Sequence, residues 1–350
     1  MVLIKRLKEG LVENRNVTVE TVEQGLEIVA FLRPDWYSIV AKVFDAGITN
    51  KLYGYIDETC KNKNDMILVR MYGKNTEVII NRKKELETHI KLNKAGFASP
   101  VYCTINNGYI YGFVAGSTVT KESVRDPKVC PLIARSLAQL HAKVPVNDDA
   151  QPSFYSRLNE WLNQIPDYFT TDKLKCLNGL VDGKAHLVRE INALYAKMTA
   201  NEDLPIGFCH NDLQLDNIIH NTDNGTISFI DYEYGSCNYL AFDIGHHFTE
   251  YSGIINMDFN LYPDEVCQRV WLKTYLEEYH RCKELGAVTE DHITVLYKQA
   301  NFFSLCAHIW WGIWSLIQSM HSEIDFDYAD YGRMRLQEYF KLKKKFFDLL

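Results

Sequence analysis

The sequence predicts an α+β protein of two lobes, a small sheet-rich one over residues 1–114 and a large helical one over residues 115–350. Two observations carry this reading. Short apolar stretches broken by polar turns fill the first third, and apolar residues at helical spacing fill most of the chain after Pro131. A hydrophobic content of 47% over 350 residues is enough to fill a large core.

In chain order, a helical start is followed by strands at Asp45 to Tyr55 and Asp65 to Tyr72, joined by the polar turn Glu58 to Asn64, and then by a helix over Asn81 to Lys94. Val101 to Thr104 and Tyr109 to Val114 make a hairpin around Asn106-Asn107-Gly108, because Asn-Gly favours a tight reversal. The lobes join near Ala115-Gly116. From Pro131 to His141, Leu132, Ile133, Leu137 and Leu140 recur at helical spacing, and that pattern continues to Phe347 apart from a short strand pair between Asn217 and Asp231. Ala300 to Met320 has no acidic residue, lysine or arginine and nearly the length of a bilayer span. Asn301, His308 and Gln318 interrupt it, and its tryptophans sit mid-segment instead of at two interfaces, so it reads as a buried helix with no integral membrane span.

The net charge of −7 argues against nucleic acid as a partner, since polyanion binding normally shows as a basic surplus. Nine cysteines, an odd number without metal-ligand spacing, point to reduced thiols in the cytoplasm. Only Met1 to Ile4 precede Lys5 and Arg6, too few for the apolar core of a signal peptide.

The chemistry is concentrated in His210-Asn211-Asp212-Leu213-Gln214-Leu215-Asp216-Asn217 and in Ile230-Asp231-Tyr232-Glu233-Tyr234. In phosphoryl transfer, an Asp accepts the proton of the attacking hydroxyl, while an Asn five positions on and a later Asp hold magnesium. Asp212 and Asn217 have that spacing. Strands at Ile218 to His220 and Thr226 to Phe229, turning at Asp223-Asn224-Gly225, bring Asn217 and Asp231 back beside each other, and two oxygen ligands suit Mg²⁺.

These motifs resemble those of the choline/ethanolamine kinases, relatives of the aminoglycoside phosphotransferases, with a bilobal protein-kinase-like fold. The resemblance extends through Asn238-Tyr239-Leu240-Ala241-Phe242-Asp243-Ile244-Gly245 and His247-Phe248-Thr249-Glu250, and from Gly47-Ile48-Thr49-Asn50-Lys51 to Ile324-Asp325-Phe326. Val69-Arg70-Met71-Tyr72-Gly73, Tyr102-Cys103-Thr104-Ile105-Asn106-Asn107-Gly108 and Leu261-Tyr262-Pro263-Asp264 are similar to the ethanolamine kinases within that family.

The resemblance implies ATP-dependent phosphorylation of ethanolamine to phosphoethanolamine with Mg²⁺, the first step of phosphatidylethanolamine synthesis by the CDP-ethanolamine route. The alternative is a choline kinase or a dual enzyme. A homodimer is also implied, though no interface is marked in the sequence. Asp212 becomes the catalytic base, Asn217 and Asp231 the metal ligands, and Gln214 a neighbour of the nucleotide. Arg70 stands in place of a phosphate-binding lysine, with Glu85 as its partner and Glu87 as a neighbouring candidate. Backbone N–H groups of the loop containing Gly47, Ile48, Thr49 and Asn50 would cover the phosphates.

Trp311 and Trp314, three residues apart, share a helix face, which suits either plain aromatic core or two walls of a cage for an ammonium. Tyr234, Tyr251, Tyr328, Tyr331 and Phe326 are candidates for further faces of such a cage. The resemblance assigns Glu250, Trp311, Trp314 and Tyr331 to the substrate amine. Asp243 is expected to brace the catalytic loop by hydrogen bonding. His246 and His247, being adjacent, point apart and make a poor shared metal site.

Overall fold

The computed structural model describes residues 13–44, 50–59, 65–73, 80–201, 203–322 and 324–350. The chain divides into two compact units, Met1–Ser117 and Thr118–Leu350.

In the first unit, six strands among the described residues form one sheet: β1 (Glu13–Asn14), β2 (Ile39–Phe44), β3 (Asn50–Asp57), β4 (Ile67–Tyr72), β5 (Val101–Ile105) and β6 (Gly108–Gly112), in the order β1-β5-β6-β4-β3-β2. Helix α1 (Val22–Leu32) starts at a capping box in which Thr21 Oγ1 accepts from Gln24 N–H and Gln24 Oε1 accepts from Thr21 N–H. Its Ile28, Val29 and Leu32 pack with Trp36, Tyr55, Ile67, Val69 and Cys103 into the core of this unit. Each such aliphatic side chain contributes about 1.5–3 kcal/mol on full burial. Helix α2 (Arg82–Lys94) has little amphipathic pattern and relies on its ends: Asn81 Oδ1 caps Lys84 N–H at 3.0 Å, Glu85 lies in the first turn, and Lys91 and Lys94 in the last.

The expected hairpin at Asn106-Asn107-Gly108 forms, but its glycine is needed for an unexpected reason. Gly108 is the first residue of β6, and a Cβ there would stand 1.9 Å from the Arg70 carbonyl oxygen of β4. Strand β2 was not expected. It lies in what the sequence reads as the helical start, and its valines, isoleucine and phenylalanine favour a strand, which among the described residues pairs only with β3. Residues 45–49, expected to begin the next strand, and 60–64, expected in the following turn, lie outside the described residues.

The second unit contains α3 (Cys130–Lys143), α4 (Ser153–Leu162), α5 (Lys184–Thr199), β7 (Ile206–Cys209), β8 (Ile218–Asn221), β9 (Thr226–Phe229), β10 (Ser236–Tyr239), α6 (Leu240–Glu250), α7 (Glu265–Lys283), α8 (Glu290–His321) and α9 (Tyr328–Phe346). The β8–β9 hairpin is the expected one, with Gly225 at φ +67° in its turn. The antiparallel pair β7–β10, with Cys209 opposite Ser236, corrects the expectation of helix there. Its strands are as short as β8 and β9, but no turn signal joins them, and the pairing is set by partners 27 residues apart.

Every residue of α6 is buried, including Asp243, His246, His247 and Glu250, which recur at helical spacing and form a polar stripe inside the unit. It packs on α8, where a Cβ on Gly245 would sit 2.5 Å from the Ala300 carbonyl oxygen and 2.6 Å from Ser304 N. Helix α8 is buried almost throughout its second half and packs against α9, with Leu336 filling the space over Gly312. No helix among the described residues is long and apolar enough to cross a membrane.

Candidate active site

In the second unit the loop 210–217 leaves the end of β7 and enters β8, so both of its ends are pinned to strands. Its backbone is held by one carboxylate. Asp243 on α6 accepts from His210 N–H through Oδ2 at 2.7 Å and from Asn211 N–H through Oδ1 at 2.7 Å, while His141 Nε2 donates to Oδ2 at 3.1 Å. Tyr275 Oη reaches His141 Nδ1 at 2.8 Å and fixes the ring. Burial alone would raise the Asp243 carboxyl, but the His141 contact and these donors hold it below its ordinary value. The bracing expected of Asp243 is therefore present. His141, Cys209 and Asp243 also come within metal-ligating reach of one another, but both Asp243 oxygens are committed to the loop and the histidine.

Asn211 adopts φ +65°, a conformation rare outside glycine but tolerated by Asn. Its amide donates to Tyr234 O (3.0 Å) and Ser236 Oγ (2.9 Å), and its Oδ1 accepts from Asn238 at 2.7 Å. His210 accepts Asp212 N–H at Nδ1 (3.3 Å), so its Nε2 carries the proton and donates to Ile230 O at 2.9 Å. Burial pushes the His210 pKa down, in keeping with this neutral ring.

Asn217 donates to the Asp212 carbonyl oxygen at 2.9 Å and to Asp212 Oδ2 at 3.0 Å, and Gln214 Nε2 reaches the same Oδ2 at 3.3 Å. Ile230 N–H bonds to Asn217 O at 3.0 Å, which sets Asp231, itself at φ +62°, next to the Asn217 strand. Left-handed backbone at two non-glycine residues is strain of the kind that clusters at functional sites. Burial, then the charges of Asp231, Glu250 and Glu233, push Asp212 well above the usual carboxylate range.

The aromatic residues are also brought together. The rings of Trp311 and Trp314 lie 5.3 Å apart edge to face, Tyr234 meets Trp311 at 5.5 Å, and Trp314 Nε1 donates to Tyr234 Oη at 2.8 Å. Tyr331 contacts Phe326 at 5.7 Å, and Asp327 serves as the N-cap of α9, accepting from Asp330 N–H at 2.9 Å. Glu250 is fully buried. Its Oε1 accepts from Arg335 Nη2 and from His246 Nε2, which lies 3.3 Å away. Burial would raise the Glu250 pKa, and the Arg335 charge followed by His246 more than offset this, holding the group ionised.

Arg335 was not singled out in the sequence. The signal available there is its spacing, since Tyr331 and Arg335 are four apart and share a helix face. His141, the partner of Asp243, carries no such local mark.

In the first unit, Arg70 Nη2 lies 3.1 Å from Glu85 Oε1, both groups being buried, and Arg82 Nη1 approaches Glu85 Oε2 at 2.8 Å. Glu87 pairs instead with exposed Lys83 at 3.9 Å. Gly47, Ile48 and Thr49 lie outside the described residues, and Asn50 opens β3.

A sequence model of the choline/ethanolamine kinase family matches residues 41–340. Human ethanolamine kinase 1 is 37% identical over 94% of this chain and 74% of its own length. A probable ethanolamine kinase of Nematostella vectensis is 40% identical over 87% of this chain and 88% of its own. The solved structure of a Plasmodium vivax ethanolamine kinase superposes with a TM-score of 0.76 at 28% identity, covering 96% of this chain and 92% of that one. The braced Asp212 loop, the Asn217–Asp231 hairpin and similarity along nearly the whole length lead to one assignment: this chain is a member of the choline/ethanolamine kinase family, with that family's protein-kinase-like fold.

Proposed function

We propose that this protein transfers the γ-phosphoryl group of ATP to the hydroxyl of ethanolamine, giving phosphoethanolamine and ADP. The observation that carries the reading is the Asp212–Asn217 pairing, found in a chain whose 37–40% identical relatives are named as ethanolamine kinases. Asp212 accepts the hydroxyl proton as the substrate oxygen bonds to the γ-phosphorus and the bond to ADP breaks. His210, Asn211 and Asp243 keep Asp212 in place.

Asn217 and Asp231 would hold Mg²⁺. The Asn217 amide nitrogen is committed to Asp212, which leaves its carbonyl oxygen to bind, and an Asn oxygen beside a carboxylate suits this hard cation. When bound, the ion withdraws negative charge from the phosphate oxygens. Residues 1–114 would supply the nucleotide contacts. Arg70, oriented by Glu85, presents a guanidinium that fits phosphate oxygens bidentately. The segment around Gly47, Ile48, Thr49 and Asn50 would cover the phosphates, and Gln214 would lie near the nucleotide. The faces of Trp311, Trp314, Tyr331 and Tyr234, with the charge of Glu250, would receive the ammonium. We place the reaction in the cytoplasm, at the start of phosphatidylethanolamine synthesis, in an enzyme that forms a homodimer.

One observation favours choline instead. Arg335 offsets the Glu250 charge, and an aromatic cage with little net charge suits a trimethylammonium. A coupled ADP-release assay with Mg²⁺, run on both amines, separates the readings. We expect kcat/KM to favour ethanolamine by about tenfold or more. A preference for choline moves the substrate to the rival, and no turnover with either removes the kinase reading.

A further inference from the structure

Arg335, on α9, is 1% exposed and has three acceptors on its guanidinium. Nε donates to Tyr331 Oη at 2.9 Å, Nη1 to Thr249 Oγ1 at 3.2 Å, and Nη2 to Glu250 Oε1. The acceptors come from two helices, α6 and α9, so the arginine locks one against the other. The chain of contacts then continues to the catalytic loop. Leu213, next to Asp212, donates its backbone N–H to His246 Nδ1 at 3.0 Å, which leaves the ring proton on Nε2, facing Glu250 Oε1 at 3.3 Å. The His246 ring also lies 5.4 Å from that of Trp311.

We propose that Arg335 is a positioning residue for the substrate amine: by holding Glu250 and Tyr331 on one guanidinium, it sets the carboxylate and an aromatic wall of the amine site in register with the loop that carries Asp212. The inference rests on the ethanolamine reading above. A planar fork can serve three acceptors in fixed directions, whereas the single ammonium of lysine cannot reproduce that geometry. Arg335 makes its contacts through the pocket walls and not to the reacting atoms.

The test is steady-state kinetics of the full chain, varying ethanolamine at saturating MgATP and MgATP at saturating ethanolamine. Wild-type protein without turnover on ethanolamine removes the reading beneath the inference, and the inference with it. With an active wild type, Arg335→Lys is expected to raise the ethanolamine KM about tenfold while the ATP KM stays within about twofold. Tyr331→Phe leaves no charge unpaired, keeps the ring, and is expected to raise the ethanolamine KM about threefold, the equivalent of one lost hydrogen bond. It decides alone if Arg335→Lys does not fold. An ethanolamine KM unchanged in Tyr331→Phe, or an ATP KM that rises in step with it in either variant, overturns the inference, because a merely structural arginine would not separate the two substrates.

Discussion

Asn217 is tied twice to Asp212, its amide bonding both to the backbone carbonyl oxygen at 2.9 Å and to the carboxylate at 3.0 Å. The expected base and the expected metal ligand are thus one mechanical unit, and a change at either is felt by the other.

Asp212→Asn retains the shape and the loop contacts but removes the proton acceptor. It is expected to lower kcat by about 10²–10⁴-fold, with the far-ultraviolet circular dichroism unchanged. ADP release at the wild-type rate in this variant would show that another group takes the proton.

Asn217→Ala removes both the tether on Asp212 and an oxygen ligand. The Mg²⁺ concentration giving half-maximal rate is expected to rise about tenfold or more, as read from a magnesium titration at fixed ATP. A lower kcat with an unshifted magnesium dependence would leave Asn217 only its tethering role.

Asp243→Ala leaves the N–H groups of His210 and Asn211, and the His141 ring, without their acceptor. Each buried donor left unsatisfied costs about 1–3 kcal/mol, so a loss of roughly 3 kcal/mol or more is expected in urea unfolding, with kcat falling as the loop loosens. Wild-type stability in the variant would mean that water replaces the carboxylate at no cost.

Gly245→Ala forces a methyl group to within 2.5 Å of the Ala300 carbonyl oxygen on α8. Two buried helices must separate to admit it, and a destabilisation of about 1–3 kcal/mol is expected from overpacking. Thermal unfolding of the variant beside wild type measures it, and equal midpoints would contradict the close contact.

His247 is buried between Tyr251 and Trp271. Burial lowers its pKa from 6.5 to about 4. Below pH 6.5 the unfolded chain binds a proton that the folded one refuses, so stability falls as pH drops from 6.5 and levels off below about 4, by up to about 1.4 kcal/mol per pH unit. His247→Phe keeps the ring packing without the titration. Its urea midpoint is expected to drop less between pH 7.5 and 5.5 than that of wild type, and parallel drops in the two proteins would rule His247 out as the cause.

The local elements of the site are readable from residues near one another in sequence. The spacing from Asp212 to Asn217, the Asn224-Gly225 turn that returns the chain to Asp231, and the helical interval between Trp311 and Trp314 each lie within a few turns of backbone, where spacing dictates geometry. The strand pair β7–β10, from whose end the loop springs, was not readable, because no turn joins its strands and their pairing spans the intervening hairpin.

By itself, then, the sequence determined the kind of fold, the phosphoryl-transfer motif and the residues that could carry it. The tertiary structure decided who holds them in place: His141 reaches Asp243 across 102 residues and Arg335 reaches Glu250 across 85. The physical reason is that buried charges and donors must be satisfied by whichever groups packing brings near, and packing among α3, α6 and α9 follows from the whole core, not from any local spacing.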